Sequence, residues 1–327
     1  METPQKNLAM DLLRVTEAAA LSSARWLGKG NKDAGDKAAV DAMRVTFNSV
    51  DVDGTIIIGE GEKDHAPMLY NGEKVGNGNG PKVDVAVDPV EGTNLLAFGR
   101  PNAIAVIGVA PGSMMYDPGP SHYMKKLVVP AEAKDVVDLD APVELNLKKT
   151  AKALGKDVDD LVVFVLDKPR HAELIRKIRM VGARIQLHGD GDVAGALMAV
   201  DPATNVDIMM GTGGTPEGVL SACAIRAMGG QILAKLDPQS DREKQALLDK
   251  GYALGEILTV ETLVKSENVF FAATGISGGT FLGGVRYTGT GAVTYSLVMR
   301  GKTGTVRRIE SHHKLTRLMR FSSVKYD

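Results

Sequence analysis

Apolar positions along the first part of the chain fall at helical spacing. Leu8, Leu12, Val15, Ala19 and Trp26 lie close to one face, because residues three and four apart share a side at 3.6 residues per turn. The run Gly28-Lys29-Gly30-Asn31-Lys32-Asp33-Ala34-Gly35 interrupts that pattern. Ala39, Met43, Phe47 and Val50 then predict a second helix, with Asp36 at its start. After this the period becomes that of strands. Thr55-Ile56-Ile57-Ile58 is a β-branched run, a composition that suits a pleated, half-buried surface. Val83, Val85 and Val87 alternate with Asp84 and Ala86 and predict a strand ending at Asp88-Pro89. Residues 103–110, and the stretch from Tyr123 into Leu127-Val128-Val129, predict two more. From about residue 143 the rhythm is helix, strand, helix, strand. Strands are expected over 161–166, 183–187 and 206–210, and helices over 172–180 and from Pro216-Glu217, where proline suits the first helical turn. Residues 269–272 form a late apolar strand. Antiparallel strands close the chain around turns at 288–291 and 301–304. The change of rhythm divides the chain into an N-terminal half, 1–160, and a C-terminal half, 161–327.

Composition narrows the class. A chain of 327 residues, 44% apolar and 24% charged, is long enough for about two globular domains. Lys plus Arg is 39 against 40 for Asp plus Glu, a net charge of −1, which argues against a strongly basic nucleic-acid surface. The single cysteine, Cys223, forbids an intrachain disulfide and fits a reducing compartment. Between Ala222 and Ala224 it reads as a buried apolar residue. No apolar run approaches the roughly 18 residues of a membrane helix. Asp11, Arg14 and Glu17 interrupt the place where a signal peptide keeps an apolar core. A cytoplasmic protein is expected, with a small-molecule partner and neither a membrane nor a nucleic acid.

Three motifs are set aside. Gly301-Lys302-Thr303 resembles the end of a P-loop, but Ser296 stands where the first glycine belongs and the segment reads as a β-turn. Gly76-Asn77-Gly78-Asn79-Gly80 lacks dinucleotide spacing. His312 and His313, adjacent on a strand, point to opposite faces.

The informative pattern is carboxylates where strands end. Gly59-Glu60-Gly61-Glu62, Asp88-Pro89-Val90-Glu91-Gly92-Thr93 and Asp190-Gly191-Asp192 each follow an apolar strand, and Gly213-Gly214-Thr215-Pro216-Glu217 opens a helix after another. Strand ends are where α/β proteins gather their sites. Acids meeting in one crevice repel unless cations lie between them, and hard divalent metals take oxygen ligands. Asp88 and Glu91 are the sharpest pair. Gly92 leaves the backbone open to an anion, and Thr93 offers a hydroxyl and an N–H at a helix start. Lys168-Pro169-Arg170 lies between a strand and a helix. Cations there oppose the helix dipole, and an anionic ligand resolves the conflict through arginine's bidentate geometry and lysine's point charge.

At Asp88-Pro89-Val90-Glu91-Gly92-Thr93 the chain resembles the lithium-sensitive, metal-dependent sugar phosphatases. Together with Arg14-Val15-Thr16-Glu17, the run from Ile58 to Asp64, Ala66-Pro67-Met68-Leu69-Tyr70, Asp190-Gly191-Asp192-Val193-Ala194 and Gly213 to Gly218, it is similar to bacterial class II fructose-1,6-bisphosphatases of the GlpX type. That resemblance implies an α/β fold, layered α/β/α/β/α with mixed sheets. It implies hydrolysis of fructose 1,6-bisphosphate with two or three Mg²⁺ or Mn²⁺ ions, by a homo-oligomer, dimer or tetramer. The metal ligands it implies are Asp36, Glu60, Asp88, Glu91 and Glu217. The substrate contacts it implies are Glu91, Gly92, Thr93, Tyr123, Lys168, Pro169, Arg170, Asp190, Gly191, Asp192 and Gly214. In that reaction Thr93 is expected to orient the attacking water and relay its proton to Asp36 or Glu60, with Glu62 or Asp64 as the path if its hydroxyl is structural. Lys168 and Arg170 are expected to hold the uncleaved phosphate, and the Asp190–Asp192 turn to hold sugar hydroxyls. Before Tyr123 the family often carries Ala-Pro-Asp-Met, where this chain has Pro118-Gly119-Pro120-Ser121-His122. Rival readings are a phosphatase for sedoheptulose 1,7-bisphosphate or an inositol phosphate, and a non-catalytic phosphosugar sensor.

Overall fold

In chain order, the computed structural model runs α1 (Ala9–Ser23), α2 (Lys32–Phe47), β1 (Asp53–Ile58), β2 (Lys74–Val75), β3 (Lys82–Glu91), α3 (Thr93–Ala97), β4 (Ile104–Pro111), β5 (Tyr123–Val129) and α4 (Val143–Leu154). Then come β6 (Val162–Leu166), α5 (Ala172–Val181), β7 (Arg184–His188), α6 (Asp192–Val200), β8 (Ile208–Gly214), α7 (Thr215–Met228), β9 (Gln231–Leu236), α8 (Asp241–Asp249) and α9 (Val260–Leu263). The last elements are β10 (Phe270–Gly275), β11 (Arg286–Tyr287), β12 (Ala292–Arg300), β13 (Thr305–His313) and α10 (Leu315–Phe321). The structure describes residues 7–60, 69–321 and 324–326.

The chain divides into two compact units, Met1–Ser113 with Asn268–Asp327, and Met114–Glu267. This differs from a division at 160/161. After β4 the chain leaves the first sheet, and it re-enters that sheet at β10, which pairs antiparallel with β4. A change of rhythm along the sequence carries no trace of that return.

The first unit is a mixed sheet in the order β11-β12-β10-β4-β3-β1-β2, with β13 pairing β12. β1 and β3 run parallel and the other pairs antiparallel. Helices α1 and α2 pack on one face. Leu12, Val15, Met43 and Phe47 join Ile56, Val83, Val85, Val87, Ala105, Ile107 and Val109 in one buried cluster. Every residue of β10 is buried, which is why it reads as a continuous apolar run rather than an alternating one. α2 begins four residues before Asp36. Asn31 caps it by accepting the Ala34 N–H at 3.1 Å, so Gly35 lies inside the helix rather than in a break.

β3 does not end at Asp88-Pro89. Asp88 stands opposite Val106 and Glu91 opposite Ile104, so one extra residue is accommodated between them. Such a bulge tolerates a proline within a strand. It also changes side. On a regular strand, residues three apart point to opposite faces; with the insertion, Asp88 and Glu91 lie opposite residues two apart and share a face. The burial pattern agrees, because Val83, Val85 and Val87 are followed by Val90 in the helix-facing cluster.

The second unit is a five-stranded mixed sheet in the order β7-β6-β8-β5-β9. β6 is parallel to β7 and β8, and β5 is antiparallel to β8 and β9. Leu147 and Ala151 of α4 and Ile175 and Ile178 of α5 pack with Val163, Val165, Leu127 and Met210 on one face. α6 and α7 cover the other, where Gly195 lies against Phe164 and Gly218 against Met124. The unit is therefore three layers, and the first unit has a helical layer on a sheet. Each unit is layered mixed α/β, the fold class that the resemblance implies. Cys223 is buried in α7. No helix among the described residues is long and apolar enough to cross a membrane.

Candidate active site

In the second unit the connection after β6 leaves through α5 on one face. The connection after β8 leaves through α7 on the other. Adjacent strands whose crossovers part in this way leave a crevice at their carboxyl ends. Lys168-Pro169-Arg170 follows β6 there, and β8 runs on to Gly214 rather than closing at Met210. Tyr123, the first residue of antiparallel β5, pairs with Gly214. The structure thus brings Tyr123, the Lys-Pro-Arg turn and the Gly-Gly turn to one end of one sheet.

Each of these side chains is held. The Arg170 Nε donates to the Thr212 carbonyl at 3.0 Å, and its guanidinium lies 5.1 Å from the centre of the Tyr123 ring, within cation–π range. Lys168 Nζ donates to Asp190 Oδ1 at 3.0 Å, so two residues expected to touch substrate also touch each other. His171 fastens the turn to β8. It contacts the Leu166 carbonyl through Nδ1 at 2.7 Å and accepts the Thr212 N–H through Nε2 at 2.8 Å. The second bond requires an unprotonated Nε2, so the ring is neutral with its hydrogen on Nδ1. Burial, reinforced by Arg170 beside it, holds its pKa below the usual histidine range. A Cβ at Gly211, which has φ +141°, would stand 2.9 Å from that Nε2.

Behind the Gly213-Gly214 turn lies a buried charged cluster. Lys126 Nζ bonds to Asp192 Oδ2 and donates to the Gly214 carbonyl at 2.8 Å, while the Gly214 N–H donates to the same Asp192 Oδ2 at 3.1 Å. The glycines make room for these carboxylates. A Cβ on Gly213 would lie 2.0 Å from Asp192 Oδ2, and one on Gly214 would lie 1.7 Å from Glu217 Oε2. Asp192 Oδ1 and Glu217 Oε2 are buried without a hydrogen-bond partner among the described residues, whereas most buried polar atoms are bonded to protein or to ordered water. Burial raises the Glu217 pKa; Lys126 opposes that shift and Asp192 reinforces it. Glu217 as a whole is only half-buried, but Oε2 is shut away from solvent.

The unusual segment before Tyr123 is tied to its surroundings. Ser121 and Thr215 hydroxyls lie 2.7 Å apart, Thr215 N–H donates to the His122 carbonyl at 3.0 Å, and His122 N–H donates to Glu243 Oε1 at 2.8 Å. These bonds set the start of β5 against the starts of α7 and α8.

The first unit carries the other acids. Asp88 is half-buried and accepts the Val90 N–H on Oδ1 at 3.0 Å. Glu91 is buried on the same sheet face. Gly92, at φ +86°, takes the cap position of α3, so Thr93 is its first helical residue and not its cap. A Cβ on Gly35 would come within 2.7 Å of Leu96 Cδ2, so the turn of α2 that bears Asp36 abuts α3. Glu60 donates its N–H to the Leu69 carbonyl at 3.3 Å. Gly61, Glu62 and Asp64 lie outside the described residues. Among the described residues, no three His, Cys, Asp or Glu side chains form a group that already has the makings of a metal site, and Asp36, Glu60, Asp88 and Glu91 each have other partners. His312 contacts Glu310 at 2.8 Å while His313 contacts Thr294 at 2.8 Å, so the two adjacent rings do turn apart. Gly301–Thr303 is a tight 3₁₀ turn joining β12 to β13.

Lys126 was absent from the sequence expectations. Its signal is the alternation of Met124, Lys126 and Val128 on one side of β5 against Leu127 and Val129 on the other, which places a lysine on a buried face.

The bacterial fructose-1,6-bisphosphatase family encoded by glpX has a model that matches residues 6–313. The chain is 44% identical over 326 residues to fructose-1,6-bisphosphatase 1 class 2 of Escherichia coli K12, covering 96% of this chain and 97% of that protein. Class 2 fructose-1,6-bisphosphatases of E. coli O6:H1 and Shigella flexneri match at the same identity and coverage. A match of this extent, over a chain whose strand-end turns hold the expected acids and cations, shows that it belongs to the glpX-encoded bacterial fructose-1,6-bisphosphatase family.

Proposed function

We propose that the protein hydrolyses the 1-phosphate of fructose 1,6-bisphosphate to fructose 6-phosphate and phosphate, a gluconeogenic step, with divalent cations, Mg²⁺ or Mn²⁺, two or three per site. The observation that carries this reading is the end of the second sheet, where two cations and a buried, unfilled carboxylate oxygen are fixed in place, in a chain of this family. Arg170, already turned by the Thr212 carbonyl and the Tyr123 ring, grips the 6-phosphate with its free guanidinium nitrogens, and Lys168 adds charge beside it. Asp192 Oδ1 accepts a sugar hydroxyl, which completes an otherwise orphaned buried acceptor.

The donor set fits hard divalent cations. Asp36, Glu60, Asp88 and Glu91 in the first unit, and Glu217 in the second, offer only oxygen, and Glu217 Oε2 is buried with no hydrogen-bond partner among the described residues. When bound, such cations neutralise phosphate charge, acidify the attacking water and stabilise the leaving oxygen. Thr93 holds that water through its hydroxyl, and a carboxylate, Asp36 or Glu60, takes the proton. Asp190 keeps Lys168 aimed, and the bulge between Asp88 and Glu91 keeps both acids on one face.

Phosphate release from fructose 1,6-bisphosphate, measured with chelator, with Mg²⁺ and with Mn²⁺, tests the reading. Chelator is expected to abolish release and lithium to inhibit it. Faster turnover of sedoheptulose 1,7-bisphosphate or an inositol phosphate would reassign the substrate. Sugar-phosphate binding without release under any cation would leave a sensor.

A further inference from the structure

Lys126 takes no part in the reaction as derived above, yet its side chain is 1% exposed. A lysine is rarely buried unless it is paired. Its amine closes a ring. Nζ meets Asp192 Oδ2 and the Gly214 carbonyl, and the Gly214 N–H returns to the same Asp192 Oδ2. Two donors therefore occupy one carboxylate oxygen and leave Oδ1 buried and without a partner among the described residues. Asp192 itself is 6% exposed. Gly213 admits the arrangement, since any Cβ there would collide with Oδ2. The carboxylate cannot swing, because one of its oxygens is held from two directions.

We propose that Lys126 is a positioning residue for sugar recognition: by holding Asp192 Oδ2 against the Gly214 turn, it presents Oδ1 as the acceptor for a hydroxyl of the sugar. This rests on the reading of Asp192 as a sugar contact. A buried ion pair with no other task is the bland alternative, since such pairs are often replaceable by apolar groups with no loss of stability. The two readings differ in what removing the amine does to ligands. A positioning role affects the sugar and spares the phosphate, because Lys168 and Arg170 are held by Asp190, Thr212 and Tyr123 and not by Lys126.

The test is calorimetric binding of fructose 6-phosphate and of inorganic phosphate, with chelator present, to the parent, Lys126→Met, Asp192→Asn and the double variant. Lys126→Met is expected to weaken fructose 6-phosphate about ten- to a hundredfold, the range for a misplaced charge-assisted contact, and to leave phosphate affinity within about twofold. The double variant should bind the sugar phosphate no worse than Asp192→Asn alone, because residues acting through one contact are not additive. Unchanged fructose 6-phosphate affinity in folded Lys126→Met, or equal loss of both ligands, overturns the proposal. If Lys126→Met does not fold, the double variant decides. Affinity matching Asp192→Asn supports positioning, and a further tenfold loss, or failure of that variant to fold as well, assigns Lys126 to structure. A parent that releases no phosphate from fructose 1,6-bisphosphate and binds no fructose 6-phosphate fails earlier, and what falls then is the assigned activity itself.

Discussion

Thr93 shows how much depends on one position along a turn. With Gly92 at the cap, the hydroxyl is not needed to start α3, so the roughly 0.5–2 kcal/mol that a lost cap costs does not apply. Thr93→Ala is therefore expected to melt close to the parent. If the hydroxyl orients the attacking water, its removal lowers kcat by about 10²–10⁴, the usual size of such a contribution, and Thr93→Ser retains much of the activity. Saturating kinetics of both variants decide the matter; a Thr93→Ala enzyme within a few-fold of the parent moves the proton path to Glu62 or Asp64. Asp88→Asn should fold, because an amide oxygen still accepts the Val90 N–H, and it should be inactive at any metal concentration, because an amide cannot neutralise a cation. Near-parent turnover in that variant removes Asp88 from the metal ligands. Arg170→Ala should mainly raise KM, by about ten- to a hundredfold for a lost charge-assisted contact of roughly 1.5–3 kcal/mol. An unchanged KM for fructose 1,6-bisphosphate would take the remote phosphate away from Arg170.

At the scale of elements, α6 against β6 sets the floor under the Asp190–Asp192 turn. Phe164 is stacked on His188 with ring centres 4.7 Å apart, and a Cβ on Gly195 would reach three of its ring atoms at 2.2–2.5 Å. Alanine favours helix over glycine by about 1 kcal/mol, but an overpacked core loses about 1–3 kcal/mol. A rigid ring pinned between a helix and an imidazole has no room to yield, so overpacking wins. Gly195→Ala is expected to lower stability in denaturant titration, and Phe164→Leu in the same chain should recover part of the loss; a stabilised Gly195→Ala would mean the ring moves freely. The same helix, α6, leaves no helical signal in the sequence. Residues 192–200 are buried all round, so no amphipathic stripe announces a helix. Strands β1, β4, β5 and β6 were legible because an apolar or β-branched run is enough to mark them. β3 runs two residues past the end that Asp88-Pro89 predicts, since proline ordinarily ends a strand and the bulge that admits it depends on pairing with β4. The acids and cations of the turns were legible as chemistry. Lys126 was not, because its partner Asp192 comes 66 residues later and only the sheet joins them.

For the whole molecule, buried titratable groups of both units predict a stability optimum bounded on two sides. His171 and His188 in the second unit and His313 in the first all have pKa values lowered chiefly by burial. A neutral folded histidine resists a proton that the unfolded chain accepts near pH 6.5, so the unfolded state binds more protons just below that pH and stability falls as pH drops through this range. On the alkaline side, burial pushes Tyr287 of the first unit and Tyr116 of the second up to about 12. Their stabilisation is complete below the unfolded value of about 10 and is lost as pH rises toward 12, because the unfolded phenols release their protons first. Glu217 contributes with the opposite sign to the histidines, its raised pKa favouring the folded state at low pH, so the acid limb is read by difference. The midpoint of thermal unfolding should fall between pH 7.5 and 5.5 by more in the parent than in a His171→Gln, His188→Gln variant; equal slopes would mean these rings are as ready to protonate folded as unfolded. The alkaline limb has a direct readout. Of the seven tyrosines, Tyr116 and Tyr287 should still lack phenolate absorbance at pH 11 in the folded protein, and Tyr287→Phe should remove one late-titrating group. A folded chain in which all seven ionise together near pH 10 would show that neither phenol is shielded as its burial requires.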